Sequence, residues 1–398
     1  MLRNLHLIVG ILNKTTLKTK INRSMCGDTT EMRELATRIC KDYLNGAWKA
    51  VNADNIGFKH ISGGLSNLLY HISLPDTLQD KIQDEPKDVL LRVYGQTHGQ
   101  GALEAIITES VIFTLLSERG LGPKLHGIFP GGRIEQYINA RPLKNKELAI
   151  EKLSNMIAQK MGKIHSMEVP LDKEPSWLWN TMERWLSTCT APAKAQKFAT
   201  KLPNVDLRAE LDWLRARIER EGTEVVFCHN DMQEGNILMH QGEGSDPEDP
   251  RLVLIDFEYC SYNYRAFDIA NHFVEWVYDY THKEYPFFTI NEENYPNESQ
   301  RLRFIMEYLA ERNLEEDPKK LLREVELFTL VSHLLWTLWS FVNDETSQIP
   351  FGYWDYGTAR LSSYMKLKNQ LNTRSATKRK LIDLEKALLP KLHVTKGP

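Results

Sequence analysis

Short apolar runs bounded by glycine and polar clusters dominate the first part of the chain, after a helical pattern from Met32 to Tyr43. The segments "GFKHI" and "NLLYHISL" read as strands joined by the turn "SGGLSN". A charged stretch, "DTLQDKIQDEPKD", leads into a strongly apolar strand, "VLLRVYG", from Val89 to Gly95. In "ALEAIITESVIFTLLSERG" apolar residues recur three and four positions apart and the pattern stops at Gly120, which predicts a helix. "KLHGIFPGGRIEQYI" then reads as a hairpin turning at Gly131 and Gly132.

After Ile138 the period changes. Stretches at 146–166, 176–188, 206–220, 266–281, 299–312, 319–342 and 357–388 carry helical patterns or strong helix formers. Among them lie the apolar margins of "EVVFCHNDMQEGNILM", read as strands flanking a polar turn. A loop, "QGEGSDPEDPR", separates "NILM" from "RLVLIDFEY", so these two strands are expected to form a ribbon. No internal repeat is visible. The expected class is α+β in two lobes: a loose terminus over 1–30, a small antiparallel-sheet lobe over 31–138 and a larger helical lobe over 139–398. The hinge falls near Gln136 to Ile138.

Composition narrows the class of protein. With 398 residues, 42% hydrophobic and 26% charged, the chain has ordinary globular values, and disorder is excluded as its main state. A net charge of -3 gives no basic field for nucleic acid. The five cysteines, Cys26, Cys40, Cys189, Cys228 and Cys260, form no C-x-x-C pair and suit a reducing cytoplasm. "LHLIVGIL" is far too short for a membrane span, so no stable membrane insertion is expected. Residues 1–27 contain Arg3, Lys14, Lys18, Lys20 and Arg23 but no acid, a weak likeness to a mitochondrial presequence set against an ordinary loose terminus.

The chemistry-bearing residues cluster around the polar turn. Asp231 and Asn236 stand five positions apart, and Asp256 in "LIDFE" ends the next strand. Oxygen-rich side chains at strand ends suit Mg²⁺, and a free carboxylate beside them can deprotonate a hydroxyl. Phosphoryl transfer makes these demands, and the protein-kinase template separates its base and its Asn ligand by the same interval. Asn and Asp also cap ordinary turns, so "HND" alone is compatible with a structural role. In the small lobe, Gly63 and Gly64 of "ISGGLSN" would let backbone N–H groups approach phosphate, although G-x-G-x-x-G and the Walker pattern are both missing. Arg92 stands where a kinase-like fold would place a cation for phosphates, and Glu109 on the following helix is its expected partner. Aromatic residues recur downstream in "HFVEWVYDY", "LLWTLWSFV" and "PFGYWDY", as either core packing or a cage for a cation.

"FCHNDMQEGNILM", "LIDFEYCSYNYRAFDIANHFVEW", "ISGGLSNLLY" and "ESVIFTLLSERGLGPKLHGIF" resemble the choline/ethanolamine kinase family over about Ile56 to Tyr364. The form "HNDMQEGNI" is closest to choline kinases. The resemblance implies a kinase-like fold and ATP-dependent phosphorylation of choline. It implies Asp231 as the base, Asn236 and Asp256 as Mg²⁺ ligands, and Gln233 and Glu258 as assistants near the phosphates. The phosphate cradle would be Ser62, Gly63, Gly64, Leu65, Ser66 and Asn67 with Arg92, and Gln136, Tyr137 and Ile138 would meet the adenine. The matching choline site is Glu275, Tyr280, Trp336, Trp339, Phe351 and Tyr356, with Tyr259 at the metal end. Trp276 and Trp354 are left as packing residues and His229 as a structural histidine. A homodimer is implied by the resemblance alone. An Arg in place of the protein-kinase Lys, and "DFE" in place of Asp-Phe-Gly, argue against regulation by a flipping activation segment. The alternatives are an ethanolamine-preferring or other kinase-like small-molecule phosphotransferase, and an inactive kinase-shaped scaffold.

Overall fold

The computed structural model describes residues 29–61, 67–94, 102–241, 246, 249–347 and 349–392. They divide into two compact units. One comprises the described residues up to Leu143 together with Glu234–Cys260, the other Lys144–Gln233 together with the described residues from Ser261 onward.

The first unit is built on a five-stranded antiparallel sheet. Its strands are β1 (Gly57–Ile61), β2 (Asn67–Ser73), β3 (Asp88–Tyr94), β4 (Leu125–Phe129) and β5 (Gly132–Gln136), in the spatial order β1-β2-β3-β5-β4. Helix α1 (Thr30–Tyr43) is opened by Thr29, whose hydroxyl accepts from the Met32 N–H at 3.2 Å. It buries Met32, Ala36, Ile39 and Cys40 in a core shared with Trp48, Tyr70, Val89, Leu91 and Ile134. A short helix, α2 (Asp76–Gln79), follows β2, and α3 (Ala102–Glu118) follows β3. After β6 (Ala140–Pro142) the chain enters the second unit, which includes β7 (Val225–Cys228). It returns as β8 (Ile237–His240) and β9 (Leu252–Leu254), forming the ribbon β6-β8-β9. The ribbon of "NILM" with "RLVL" is therefore present, whereas "VVFC" pairs with β10 (Ser261–Tyr264).

The second unit is helical: α4 (Glu151–His165), α5 (Ser176–Cys189), α6 (Pro192–Lys201), α7 (Leu207–Ile218), α8 (Arg265–Glu275), α9 (Glu298–Glu311), α10 (Pro318–Asn343) and α11 (Tyr353–Leu392). Among the described residues α10 alone is long and apolar enough to cross a membrane, but 83% of its most apolar stretch is buried inside the protein. Asp317 caps its start by accepting from the Lys319 N–H.

The α+β class is as read from the sequence, and the boundaries differ for local reasons. The expected helix at 146–166 starts as a short turn, Asn145–Ala149, because Ile150 is extended and restarts it. The expected helix at 266–281 ends at Glu275, since Tyr278–Asp279 pairs with Thr289–Ile290 as a small ribbon. The last helix begins at Tyr353, so Gly357 lies inside it, where the missing Cβ gives room to the Phe341 ring, which an added Cβ would meet at 2.6 Å. Helix α6 was not anticipated, although Pro192 at its first turn is a start signal.

At Gly132 the sheet leaves no room for a side chain, and the obstacle is backbone. A Cβ there would run into the Arg92 carbonyl on β3 and stand 2.5 Å from the Phe129 ring. Gly132→Ala is expected to destabilise the protein by about 2 kcal/mol or more, because backbone cannot yield as a side chain does. Denaturant midpoints measure it; a change within about 0.5 kcal/mol would mean that β3 and β5 separate readily.

Candidate active site

The loop carrying Asp231 lies in the helical unit, between β7 and the unit's boundary after Gln233. Asp231 and Gln233 are half-buried, while His229, Asn230 and Met232 are buried. The loop is held from helix α8. The buried Asp268 carboxylate accepts from the His229 N–H and the Asn230 N–H, both at 2.9 Å, and pairs with His165 Nε2 at 3.0 Å. Burial would raise the Asp268 pKa, but the His165 and His229 donors bring it below the ordinary carboxylate value. One turn further along α8, His272 Nδ1 meets the Met232 carbonyl at 2.8 Å and its Nε2 accepts from Trp276 Nε1 at 3.2 Å. Burial pushes His272 down to about 4 against the pull of that carbonyl, so the ring is neutral with its proton on Nδ1.

Two further contacts complete the loop. Asp231 N–H donates to His229 Nδ1 at 3.3 Å, which gives His229 the structural role expected of it. Asn230 adopts a left-handed backbone, φ 69°, and its amide is fixed by Ser261 Oγ and Asn263 Nδ2, each at 2.8 Å. Such a conformation suits Asn and otherwise needs support from its surroundings. His165, Cys228 and Asp268 have metal-like spacing, but His165 and Asp268 are engaged in the hydrogen bonds just described, with His165 Nδ1 also at 2.8 Å from the Tyr308 hydroxyl.

In the sheet unit, Arg92 on β3 lies opposite Arg133 on β5. Glu135 Oε1 accepts from Nε of both at 2.7 Å, and Arg133 Nη1 extends the chain to Glu109 at 2.6 Å. The expected pairing of Glu109 with Arg92 is thus corrected: Glu109 holds Arg133, and Glu135 holds Arg92. Burial would raise Glu135, yet the two guanidiniums keep it below its ordinary value. Asp256 lies close enough to Arg92 to strengthen its charge, and its own backbone is left-handed, φ 64°. Burial, then the Asp256 and Glu109 carboxylates, push Glu258 up to about 8. Asn236 lies at the same end of the β8–β9 ribbon as Asp256, with the Ile255 N–H donating to the Asn236 carbonyl at 3.0 Å.

The other sheet-unit candidates are placed as follows. Gln136 ends β5, and the Tyr137 ring stacks on His71 with centroids 3.7 Å apart; Ile138 follows, half-buried. Asn67 begins β2 opposite Tyr94. Ser62, Gly63, Gly64, Leu65 and Ser66 lie outside the described residues. Tyr259 belongs to the sheet unit.

The helical unit gathers Glu275, Tyr280, Trp336, Trp339, Phe351 and Tyr356 into one aromatic cluster. Tyr356 is 6.0 Å from Tyr280, 5.6 Å from Phe351 and 6.4 Å from Trp339, measured between ring centroids. Trp336 meets Trp339 edge-on at 5.5 Å and donates from Nε1 to Asn271 Oδ1 at 2.7 Å. Tyr280 O–H donates to Glu275 Oε2 at 2.7 Å and lies 2.9 Å from the Tyr356 hydroxyl. Phe288, Tyr278 and Tyr353 join the cluster. Trp276 is buried against His272, while Trp354 packs on Phe341 and Phe198 beneath Lys197 and Lys201, so both are packing residues.

Sequence reasoning missed Arg133, Glu135, Asp268, His272 and Arg360. Signals existed for the first four. Arg133 and Glu135 are charges two apart on a buried strand, and Asp268 and His272 are polar groups four apart on a helix with no exposed face.

A choline/ethanolamine kinase family model matches residues 58–365. A choline/ethanolamine kinase of Homo sapiens is 45% identical over 389 residues, covering 92% of this chain and 96% of that one. Choline kinase alpha of Mus musculus is 44% identical, with coverage of 83% and 80%. The crystal structure of a choline kinase from Cryptosporidium parvum aligns with TM-score 0.69 at 28% identity, covering 86% of this chain and 97% of that one.

Asp268→Asn keeps the size of the side chain but weakens the acceptor for two loop N–H groups. Turnover is expected to fall by about 100-fold through displacement of Asp231, with a smaller effect on stability; unchanged turnover in a steady-state assay would show the loop to be held otherwise. His272 makes a pH prediction. Its folded pKa, about 4, lies below the ordinary histidine value of 6.5, so between these values the unfolded chain binds the extra proton. Its contribution is complete above the upper value and is lost as pH falls through that window. Urea midpoints of His272→Gln should accordingly fall less steeply between these pH values than those of the wild type.

Proposed function

The chain belongs to the choline/ethanolamine kinase family, and on that premise we propose that it transfers the γ-phosphoryl group of ATP to the hydroxyl of choline. The product is phosphocholine, the first intermediate toward phosphatidylcholine. The observation that carries the choice of choline is the aromatic cluster around Glu275. A quaternary ammonium donates no N–H hydrogen bond and is held by ring faces with a carboxylate nearby, which Tyr280, Trp336, Trp339, Phe351 and Tyr356 supply. A primary ammonium would call for more hydrogen-bond acceptors and fewer rings.

Asp231 is the group that orients the choline hydroxyl and takes its proton as the oxygen attacks phosphorus. Support comes from its half-buried carboxylate on a loop whose backbone is clamped on both sides by Asp268 and His272. Arg92, pinned by Glu135, offers phosphate oxygens a fixed positive charge without reorganisation during reaction. Ser62 to Asn67 cradle the phosphates, and Gln136 to Ile138 meet the adenine.

Asn236 and Asp256 suit Mg²⁺: both are hard oxygen donors, and the Ile255–Asn236 backbone bond brings their chain segments side by side. When bound, the ion neutralises phosphate charge. Gln233 and Glu258 complete the polar surroundings of the phosphates, and Tyr259 adjoins them. Cys40, Cys189, Cys228 and Cys260 are buried and, among the described residues, outside any disulfide, which supports a reducing cytoplasm. Family resemblance supports a homodimer.

ATP turnover with choline, ethanolamine and an aminoglycoside as acceptors tests the reading. Choline should give the highest kcat/KM. Asp231→Ala should lower kcat by about 1000-fold or more while nucleotide affinity changes little. Turnover near the native rate in that variant would remove Asp231 from the role of base.

A further inference from the structure

Arg360 on α11 is fully buried and stands directly behind the aromatic cluster. Its Nε donates to the Tyr356 hydroxyl at 2.9 Å and its Nη2 pairs with Glu275 Oε1. The guanidinium also lies over the Tyr278 ring at 4.3 Å and the Tyr356 ring at 5.1 Å. Each oxygen of Glu275 is therefore engaged, one by Arg360 and the other by the Tyr280 O–H. A closed circuit results: Arg360 to Glu275, Glu275 to Tyr280, Tyr280 to Tyr356, and Tyr356 back to Arg360.

The circuit changes what the cluster offers to a cation. An unpaired buried carboxylate would favour a primary ammonium, which can give it charge-assisted hydrogen bonds. A trimethylated nitrogen gives none, and it gains from ring faces whatever the state of the carboxylate. With Arg360 in place, the negative charge of Glu275 is offset and each of its oxygens already accepts a hydrogen bond. The Tyr356 and Tyr280 rings are meanwhile held in place by their hydroxyls. We propose that Arg360 is a specificity-determining positioning residue that biases this site toward quaternary over primary ammonium acceptors.

The inference rests on the choline kinase reading and deepens it. Selection arises in part from removing a competing interaction, the carboxylate that ethanolamine would use, as well as from adding rings. Glu275 then supplies a long-range field and a rigid anchor for Tyr280, rather than a hydrogen-bond partner for substrate.

The test compares kcat/KM for choline and for ethanolamine in the wild type, Arg360→Gln, Arg360→Lys and Arg360→Gln/Glu275→Gln, with thermal unfolding measured for each. In Arg360→Gln the choline-to-ethanolamine ratio should fall by about tenfold, the scale of one charge-assisted hydrogen bond made available to ethanolamine. The double variant removes the released carboxylate and should return the ratio toward the wild-type value. Arg360→Lys keeps the charge but cannot reach both partners with one planar fork, so the ratio should hold within about twofold while KM for choline rises. Equal losses for both acceptors in Arg360→Gln would reduce Arg360 to a packing role and overturn the proposal. So would a ratio in Arg360→Lys that falls about tenfold, a comparison that remains decisive if the glutamine variant does not fold. A wild-type chain that phosphorylates neither acceptor would instead overturn the choline kinase reading itself.

Discussion

Helix α8 is buried along its whole length, and it carries Asp268, Asn271, His272 and Glu275 inside the protein. Polar groups placed there must find partners or destabilise the fold by several kcal/mol. Their partners are the parts of the site. Asp268 and His272 take the backbone on either side of Asp231, Asn271 takes Trp336 and Ser332, and Glu275 takes Tyr280 and Arg360. Satisfying one helix thus positions both the Asp231 loop and the aromatic cluster. A mutation on α8 should be expected to reach beyond local stability for this reason.

The sheet unit uses a parallel device. Arg92 and Arg133 face each other across β3 and β5, an arrangement of like charges that is unfavourable unless a carboxylate intervenes. Glu135 does so, accepting from both. Buried ion pairs of this kind add little net stability over an apolar core, but breaking one is severe because the remaining charge is stranded. Their value here is geometric. Arg92 cannot change rotamer without losing its bond to Glu135 inside the protein, so its charge is presented from a fixed place.

How much of this could be read from the chain follows from the range of each interaction. β1 to β5 and most helices were legible because apolar period and glycine punctuation are local signals. Asp231, Asn236 and Asp256 stood out as residue types at a distinctive spacing, whereas the aromatic set was singled out only by the family resemblance. The partners were not. Which acid holds Arg92 depends on the β3–β5 register, and which strand pairs with "VVFC" depends on contacts to Ser261–Tyr264, more than thirty positions away in sequence. Arg360 shows the same limit: its four-residue spacing from Tyr356 is local, but its pairing with Glu275 on another helix is not.

The two units distribute their polar groups in different ways, and the difference matches the ions they would handle. Phosphate oxygens are strongly hydrated and need fixed donors and cations to replace water, and the sheet unit supplies guanidiniums and carboxylates on strands and their ends. A quaternary ammonium is weakly hydrated and needs shape and ring faces, and the helical unit supplies aromatic side chains from α10, α11 and the chain after α8. The one carboxylate in that setting, Glu275, is already balanced by a buried guanidinium. A cluster assembled to grip any ammonium would leave that carboxylate unpaired, whereas here each of its oxygens already has a partner.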